Sequence, residues 1–507
     1  MDFNYARYGE QNVEKFGEYV SLIYEEDGVE QHYTNTEIQR QSSALADGLV
    51  NLGIKKEEIV AVILPNGPMV PVVFMALFKI GAVFLPTNYG LAAHEIRYIL
   101  EDSQAIAVIT DDTVYLKVFE AARDLKDIRH MIVKGESPAR DTLALEGIIF
   151  QGSGHFDRVS VEPDHLAVLM YTSGTTGFPK GVMLSHKNIG SNLEDGLMIW
   201  PHDPTYTIMT PLPLNHIYGL LMANECNITG SKLVLHKWFE PRQVLNSITR
   251  HRVTQFVGVP TMYIKMLECF DPAVHSTGSV KRWISAAAPL SIETLGLIEK
   301  KLGGSVFQGY GMTESSPTIS RQREDLPRKP GSVGSAINGV EIRIVDQKDQ
   351  ELPAGQEGEV WVRGPNVMKG YLNKEEETRE TLSGGWLHTG DMGYMDAEGD
   401  LFLTDRKKDL IIRGGENISP AAIENVLYEH PAILEAAVVG IPDPVYGEEV
   451  KAFVAFREGE KVSEQDLIEH CLRSIPRFKA PKSITFLDEL PKSAVGKILK
   501  RELLKVI

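Results

Sequence analysis

The stretch best suited to chemistry is LMYTSGTTGFPKG, residues 169–181. An apolar strand runs into small and hydroxylated residues and then into Lys180. Small side chains let backbone N–H groups close on an anion, Ser and Thr hydroxyls add donors, and a lysine supplies a point charge. The loop therefore suits phosphate, although a flexible turn can have the same composition. It is not a Walker A loop, which ends in Gly-Lys-Ser/Thr, because Pro179-Lys180-Gly181 stands here.

Two further charged segments stand out. DRKKD, residues 405–409, is either a solvated turn or a hinge between differently patterned regions. The last 31 residues hold eight Lys/Arg and three Asp/Glu, in a chain with 52 basic and 69 acidic residues and a net charge of −17. An acidic chain argues against general nucleic-acid binding, so a local basic patch must carry any anion chemistry.

The elements that must position these residues follow from patterning. The length of 507 residues allows about three to five structural units. EIVAVIL (58–64), GAVFLP (81–86) and AIAVIT (105–110) read as buried strands, with helices over 69–80 and 92–103 between them. The alternation recurs through residues 254–309 and predicts mostly parallel sheets covered on both faces. From residue 338, GVEIRIVD and GEVWVRG alternate as half-exposed strands do. SPAAIENVLYEH reads as a helix with Ser419 as N-cap and Pro420 at its first position. Three scattered cysteines support neither a disulfide framework nor a zinc site. No apolar run is long enough for a spanning helix and no secretory signal is present, so a cytoplasmic location is expected.

The order of residues in the phosphate loop resembles the AMP-binding signature of the adenylate-forming superfamily, which includes the AMP-forming acyl-CoA synthetases. PLPLNHIYG (211–219), SAAAPL (285–290), QGYGMTE (308–314), GEVWVRGPNVMKGY (358–371), WLHTGD (386–391), DRKKDLIIRGGENISP (405–420) and LPKSAVGKILK (490–500) follow in the family's order. The resemblance implies an α/β fold. Residues 1–404 would form a large N-terminal domain of stacked sheets with a small barrel-like portion, 405–408 a hinge, and 409–507 a mobile α+β lid.

It also implies a two-step reaction. A carboxylic acid and ATP give acyl-AMP and pyrophosphate, and CoA then takes the acyl group as a thioester. Thr172, Ser173, Gly174, Thr175, Thr176 and Lys180 match the loop that holds the β- and γ-phosphates. Gln308, Gly309 and Tyr310 match the adenine segment, with Ala288 and Pro289 as a wall beside it. Thr313 matches an α-phosphate contact and Glu314 the Mg²⁺ carboxylate. Asp391 matches the acceptor of both ribose hydroxyls, and Arg406 a second ribose and phosphate contact. Lys497 matches the lysine that lets the substrate carboxylate approach the α-phosphate. Lys408 matches the hinge, and Gly414 and Gly415 the segment beside the pantetheine tunnel in a second lid pose. His216 matches a residue gating or lining the acyl pocket.

Pro213-Leu214-Asn215-His216 offers no carboxylate for an α-ammonium, which argues against amino-acid substrates. Ile217, Tyr218, Leu220 and Met222 add an apolar wall. In SAAAPL, alanine stands at positions 286 and 287, where the family commonly has glycine at one or both. The expected substrates are medium-chain, cyclic, aromatic or fatty acids. The alternatives are a ligase loading an acyl-carrier protein, a luciferase-like oxygenase, and a non-catalytic nucleotide sensor. The sensor predicts loss of Glu314 or Lys497, and both are present. ATP, Mg²⁺, CoA and a small carboxylic acid are the expected ligands, and a homodimer is compatible with the sequence.

Overall fold

Val- and Ile-rich runs bounded by Gly and Pro build the centre of the molecule. The computed structural model describes residues 2–135, 142–172, 179–199, 203–493 and 496–506. In it Ile59–Ile63, Val83–Pro86 and Ala107–Asp111 are neighbouring parallel strands whose side chains are almost all buried. Burial on both faces is what permits continuous apolar sequence. The helix Met69–Ile80 connects the first two, and Pro71 lies in its first turn, where a missing N–H breaks no helical bond.

These strands belong to an eight-stranded sheet, ordered Gly370–Tyr371, Lys180–Ser185, Leu166–Thr172, Val83–Pro86, Ile59–Ile63, Ala107–Asp111, His130–Lys134 and Leu143–Ala144. A nine-stranded sheet has a parallel centre and antiparallel strands at both ends. The strands Thr207–Thr210, Gln255–Gly258, Arg282–Ser285 and Ser305–Gly311 lie side by side in it. The largest apolar cluster draws on both sheets and on the helices Met69–Ile80 and Ile217–Thr229. The stacked-sheet domain is thus held by one shared core.

The barrel-like portion takes the form of a four-stranded antiparallel sheet, Glu341–Val345, Gly358–Arg363, Leu387–Met395 and Leu401–Arg406. Burial alternates along the middle two strands, so one face packs inward and one is open. Residues 407–410 then lead into a separate five-stranded sheet that begins at Ile411. That sheet has its own apolar core, shared with the helices Pro420–Tyr428 and Glu464–Ser474. Ser419 caps the first of these helices, its hydroxyl accepting from the Ala422 N–H at 3.2 Å.

Candidate nucleotide and acyl-transfer site

The best-defined part of the site is a cross-strand pair. Asp391 and Arg406 face each other on neighbouring antiparallel strands, a register that brings side chains together. Arg406 Nε donates to Asp391 Oδ1 at 2.8 Å, and the Tyr310 hydroxyl donates to Oδ2 at 2.6 Å. Burial and then Asp391 push the Tyr310 phenol far above its usual range, against the opposing pull of Thr389 and Arg406, so it stays a donor. Burial alone would weaken the charge on Arg406, but Asp391, Tyr310, Asp409 and Glu314 together outweigh it.

Tyr310 lies on the strand Ser305–Gly311 with Gln308 and Gly309. The Gln308 N–H is held by the Gln322 side chain at 2.9 Å. Gly311 ends the strand because a Cβ there would lie 1.9 Å from the Pro317 carbonyl oxygen. The following turn buries Thr313 and Glu314.

Glu314 is held from the other side. The Tyr371 hydroxyl donates to its Oε1 at 2.9 Å, and the Tyr371 ring lies 5.0 Å from the Lys180 ammonium. Tyr371 pairs with Val182 across the sheet edge, which places its ring beside Lys180 on the neighbouring strand. Thr172 and Lys180 face each other in register at the open end of their hairpin. Ser173, Gly174, Thr175 and Thr176 lie outside the described residues. Burial raises the Glu314 carboxyl above its ordinary value, against the opposing effect of Tyr371 and Arg406. A buried carboxylate disfavoured as an anion, with a hard oxygen donor, fits Mg²⁺ bound beside phosphates. A separate group, Glu25, Glu30 and His251, also brings two carboxylates and an imidazole together, but Arg250 pairs with both glutamates there.

Lys497 reaches the same cluster from the C-terminal domain. It acts electrostatically on His216, and Arg406, Asp391, Asp409 and Lys408 act on it. The residue is exposed, yet protein surrounds the ammonium, as for a lysine bordering an open cleft. Desolvation, with Arg406 and Lys408 adding, lowers it to about 8. Gly496, just before it, has φ of +78°, and a Cβ there would lie 2.6 Å from Thr261 Oγ1. Only glycine lets this turn sit on the helix Pro260–Cys269.

His216 caps the helix Ile217–Thr229, its Nδ1 accepting from the Tyr218 N–H at 3.3 Å. Desolvation, and then Lys497, hold it down at about 4, so the ring is neutral and its remaining proton belongs on Nε2. Ile217, Tyr218, Leu220 and Met222 are all buried, as an apolar wall requires. Among the described residues the buried Tyr218 hydroxyl has no hydrogen-bond partner, so this apolar stretch also carries a polar atom.

The remaining candidates lie at the margins. Ala288 is half-buried and Pro289 exposed, in the loop after the strand Arg282–Ser285. Lys408 is exposed in the link between the two sheets, its ammonium lowered by desolvation and by Arg406. Gly414 and Gly415, with φ of 60° and 89°, form the two-residue turn joining Ile411–Arg413 to Glu416–Ile418. A hairpin turn with both residues left-handed selects glycine on its own account. Both are exposed.

Three features were not evident in the sequence. Tyr371 closes the GEVWVRGPNVMKGY motif, but nothing in that run predicts its place between Lys180 and Glu314. Ala287 adopts φ of 69°, so the position where glycine is commonly found is left-handed here as well. Thr261 lies 235 residues from the turn it supports.

Comparison with known proteins places this arrangement. The model of the AMP-binding enzyme family matches residues 9–372, and that of the AMP-binding enzyme C-terminal domain matches residues 422–497. The chain belongs to the AMP-binding enzyme family. The match begins at residue 9, so it takes in the N-terminal third, which carries none of the motifs. Among relatives in this family, the long-chain-fatty-acid–CoA ligase of Bacillus subtilis is 37% identical over 89% of this chain and 86% of its own. Among solved structures, the anthranilate CoA ligase AuaEII in complex with anthranoyl-AMP superposes with a TM-score of 0.93. It is 27% identical, over 100% of this chain and 97% of that one. ATP-bound MatB from Rhodopseudomonas palustris superposes with a TM-score of 0.91 at 29% identity, over 100% and 99%.

Proposed function

We propose that this AMP-binding enzyme is an AMP-forming acyl-CoA ligase. A carboxylate oxygen attacks the α-phosphorus of ATP, the bond to the bridging oxygen of the β-phosphate breaks, and pyrophosphate leaves. The thiol sulfur of CoA then attacks the acyl carbon and loses its proton, the bond from that carbon to the oxygen on the α-phosphorus breaks, and AMP departs with that oxygen. The observation that carries this reading is the Asp391 carboxylate aimed by Arg406 and Tyr310, together with Gly496, the neighbour of Lys497, seated against Thr261 of the N-terminal domain.

Each residue's work follows from its surroundings. Lys180 and Thr172 stand at the mouth of the phosphate hairpin. Asp391, fixed by Arg406 and Tyr310, accepts the ribose hydroxyls. Thr313 donates to the α-phosphate. Glu314 would hold Mg²⁺, which when bound neutralises phosphate charge. Lys497 lowers the repulsion between the incoming carboxylate and the α-phosphate, and a preorganised charge of this kind is worth about 10²–10³ in rate. His216, neutral, offers Nε2–H beside the lysine without adding charge. No protein nucleophile is needed, since position and positive charge suffice.

The uncharged wall after His216 supports an uncharged acyl chain, and the relatives' acids extend from long-chain fatty acids to anthranilate. The substrate class is therefore a medium-chain, cyclic, aromatic or fatty acid. A pyrophosphate-release screen over aliphatic, alicyclic and aryl acids, with and without CoA, tests this. Release with at least one acid, and thioester only when CoA is present, is expected. Release with none overturns the proposal.

A further inference from the structure

One helix of the N-terminal domain carries two residues that contact the C-terminal domain and a third that faces it across a cavity. In Pro260–Cys269 the positions are Thr261, Lys265 and Glu268, spaced four and three apart and therefore on one face. The Thr261 hydroxyl donates to the Gly496 carbonyl at 3.4 Å, one residue before Lys497. Lys265 Nζ lies 3.4 Å from Glu489 Oε1. Glu268 faces Arg457 across a cavity of about 90 Å³, which Ile264, Leu267 and Thr294 also line.

We infer that this helix face is the docking rail that holds the lid with Lys497 inward, and that Lys265 and Glu268 are positioning residues for the first half-reaction. The inference rests on the proposed two-step function. Neither contact is strong, and Glu268 and Arg457 only line one cavity. Lys265 and Glu489 are about half exposed, and such pairs contribute little each. That weakness suits the role. A lid that must leave after every adenylation cannot be held by a large buried interface, and a modest bias is enough to shift a near-balanced equilibrium. The contacts also track the lid's own geometry. Glu489 is shared with Lys492, which in turn holds Glu435 of the lid's long hairpin, so a pull at Lys265 is transmitted into the lid's sheet.

The test separates the half-reactions. ATP–pyrophosphate exchange is measured with decanoate and with 4-coumarate, and thioester formation with their preformed adenylates and CoA. Lys265→Glu and Glu489→Lys should each lower exchange about fivefold and leave thioester formation from the adenylate undiminished. The double variant, which restores an opposite pair, should recover most of the exchange. Equal losses in both halves, no loss in either, or no recovery in the double variant would overturn the rail. Parallel thermal melts separate a folding defect from a docking defect.

A second measurement needs no acid. Carbodiimide treatment of the full chain with ATP should join Lys265 to Glu489, a link detected by peptide mass spectrometry. Absence of that cross-link would overturn the rail as well. A parent enzyme silent with both acids would count against the proposed reaction, and the cross-link would then decide the docking independently.

Discussion

The Tyr310 hydroxyl and the Arg406 guanidinium each hold one oxygen of Asp391, at 2.6 and 2.8 Å. The carboxylate is therefore aimed before any nucleotide arrives. Each oxygen keeps lone-pair capacity for a ribose hydroxyl. Removing the phenol should loosen the aim without removing the ring. Tyr310→Phe is expected to raise KM for ATP about tenfold with little change in kcat, since a hydrogen bond to a charged group is worth about 1.5–3 kcal/mol. Steady-state kinetics with ATP varied would check this.

Ala287 adopts a left-handed backbone conformation that costs an L-residue about 1 kcal/mol. Ala287→Gly relieves that strain but gives the unfolded chain more freedom, so the net gain is smaller than the strain. Denaturant melts should show a stabilisation of up to about 1 kcal/mol. The same change removes a methyl from the loop beside the proposed acyl pocket, so the preferred acid should shift towards bulkier chains in the release screen.

Much of the architecture could be read locally. The strands Ile59–Ile63 and Val83–Pro86 and the helices Met69–Ile80 and Pro420–Tyr428 lie within two residues of what periodicity and capping predict. AIAVIT begins two residues early, because Ala105 and Ile106 still belong to the turn before Ala107–Asp111. Local pattern could not supply the long-range pairings. Val20–Glu26 lies parallel to Lys232–His236, more than 200 residues on, and no short-range signal encodes that register. The site divides in the same way. Motif residues announce themselves by type and order, whereas Tyr371 and Thr261 act through contacts that only the folded chain creates.

His186 offers a stability prediction with a definite sign. It is buried, its Nδ1 accepts the Tyr5 N–H at 3.2 Å, and desolvation, followed by His165, lowers it from 6.5 to about 3. The unfolded chain binds the proton more readily. The stability from the neutral ring is therefore present above about pH 6.5 and is lost as pH falls towards 3. The contribution to the slope is up to about 1.4 kcal/mol per pH unit. Denaturant melts at several pH values should show that slope in the parent and a shallower one in His186→Gln.

Lys408 lies exposed in the link between the four-stranded sheet and the C-terminal sheet. Proline there fixes φ and removes a donor. Lys408→Pro is expected to keep ATP–pyrophosphate exchange and to lose thioester formation. Measuring both half-reactions on one preparation checks it, and an equal fall in both would remove the hinge from this position.

The central claim is that the Lys497 ammonium lets two anions meet. ATP–pyrophosphate exchange driven by a carboxylic acid reads that step alone. Lys497→Ala should lower it by about 10²–10³. In the parent, kcat/KM should fall as pH rises through about 8, where the lysine loses its charge, and Lys497→Arg should move that limb upward. Exchange that persists at the parental rate in Lys497→Ala, with the same pH profile, would contradict the account.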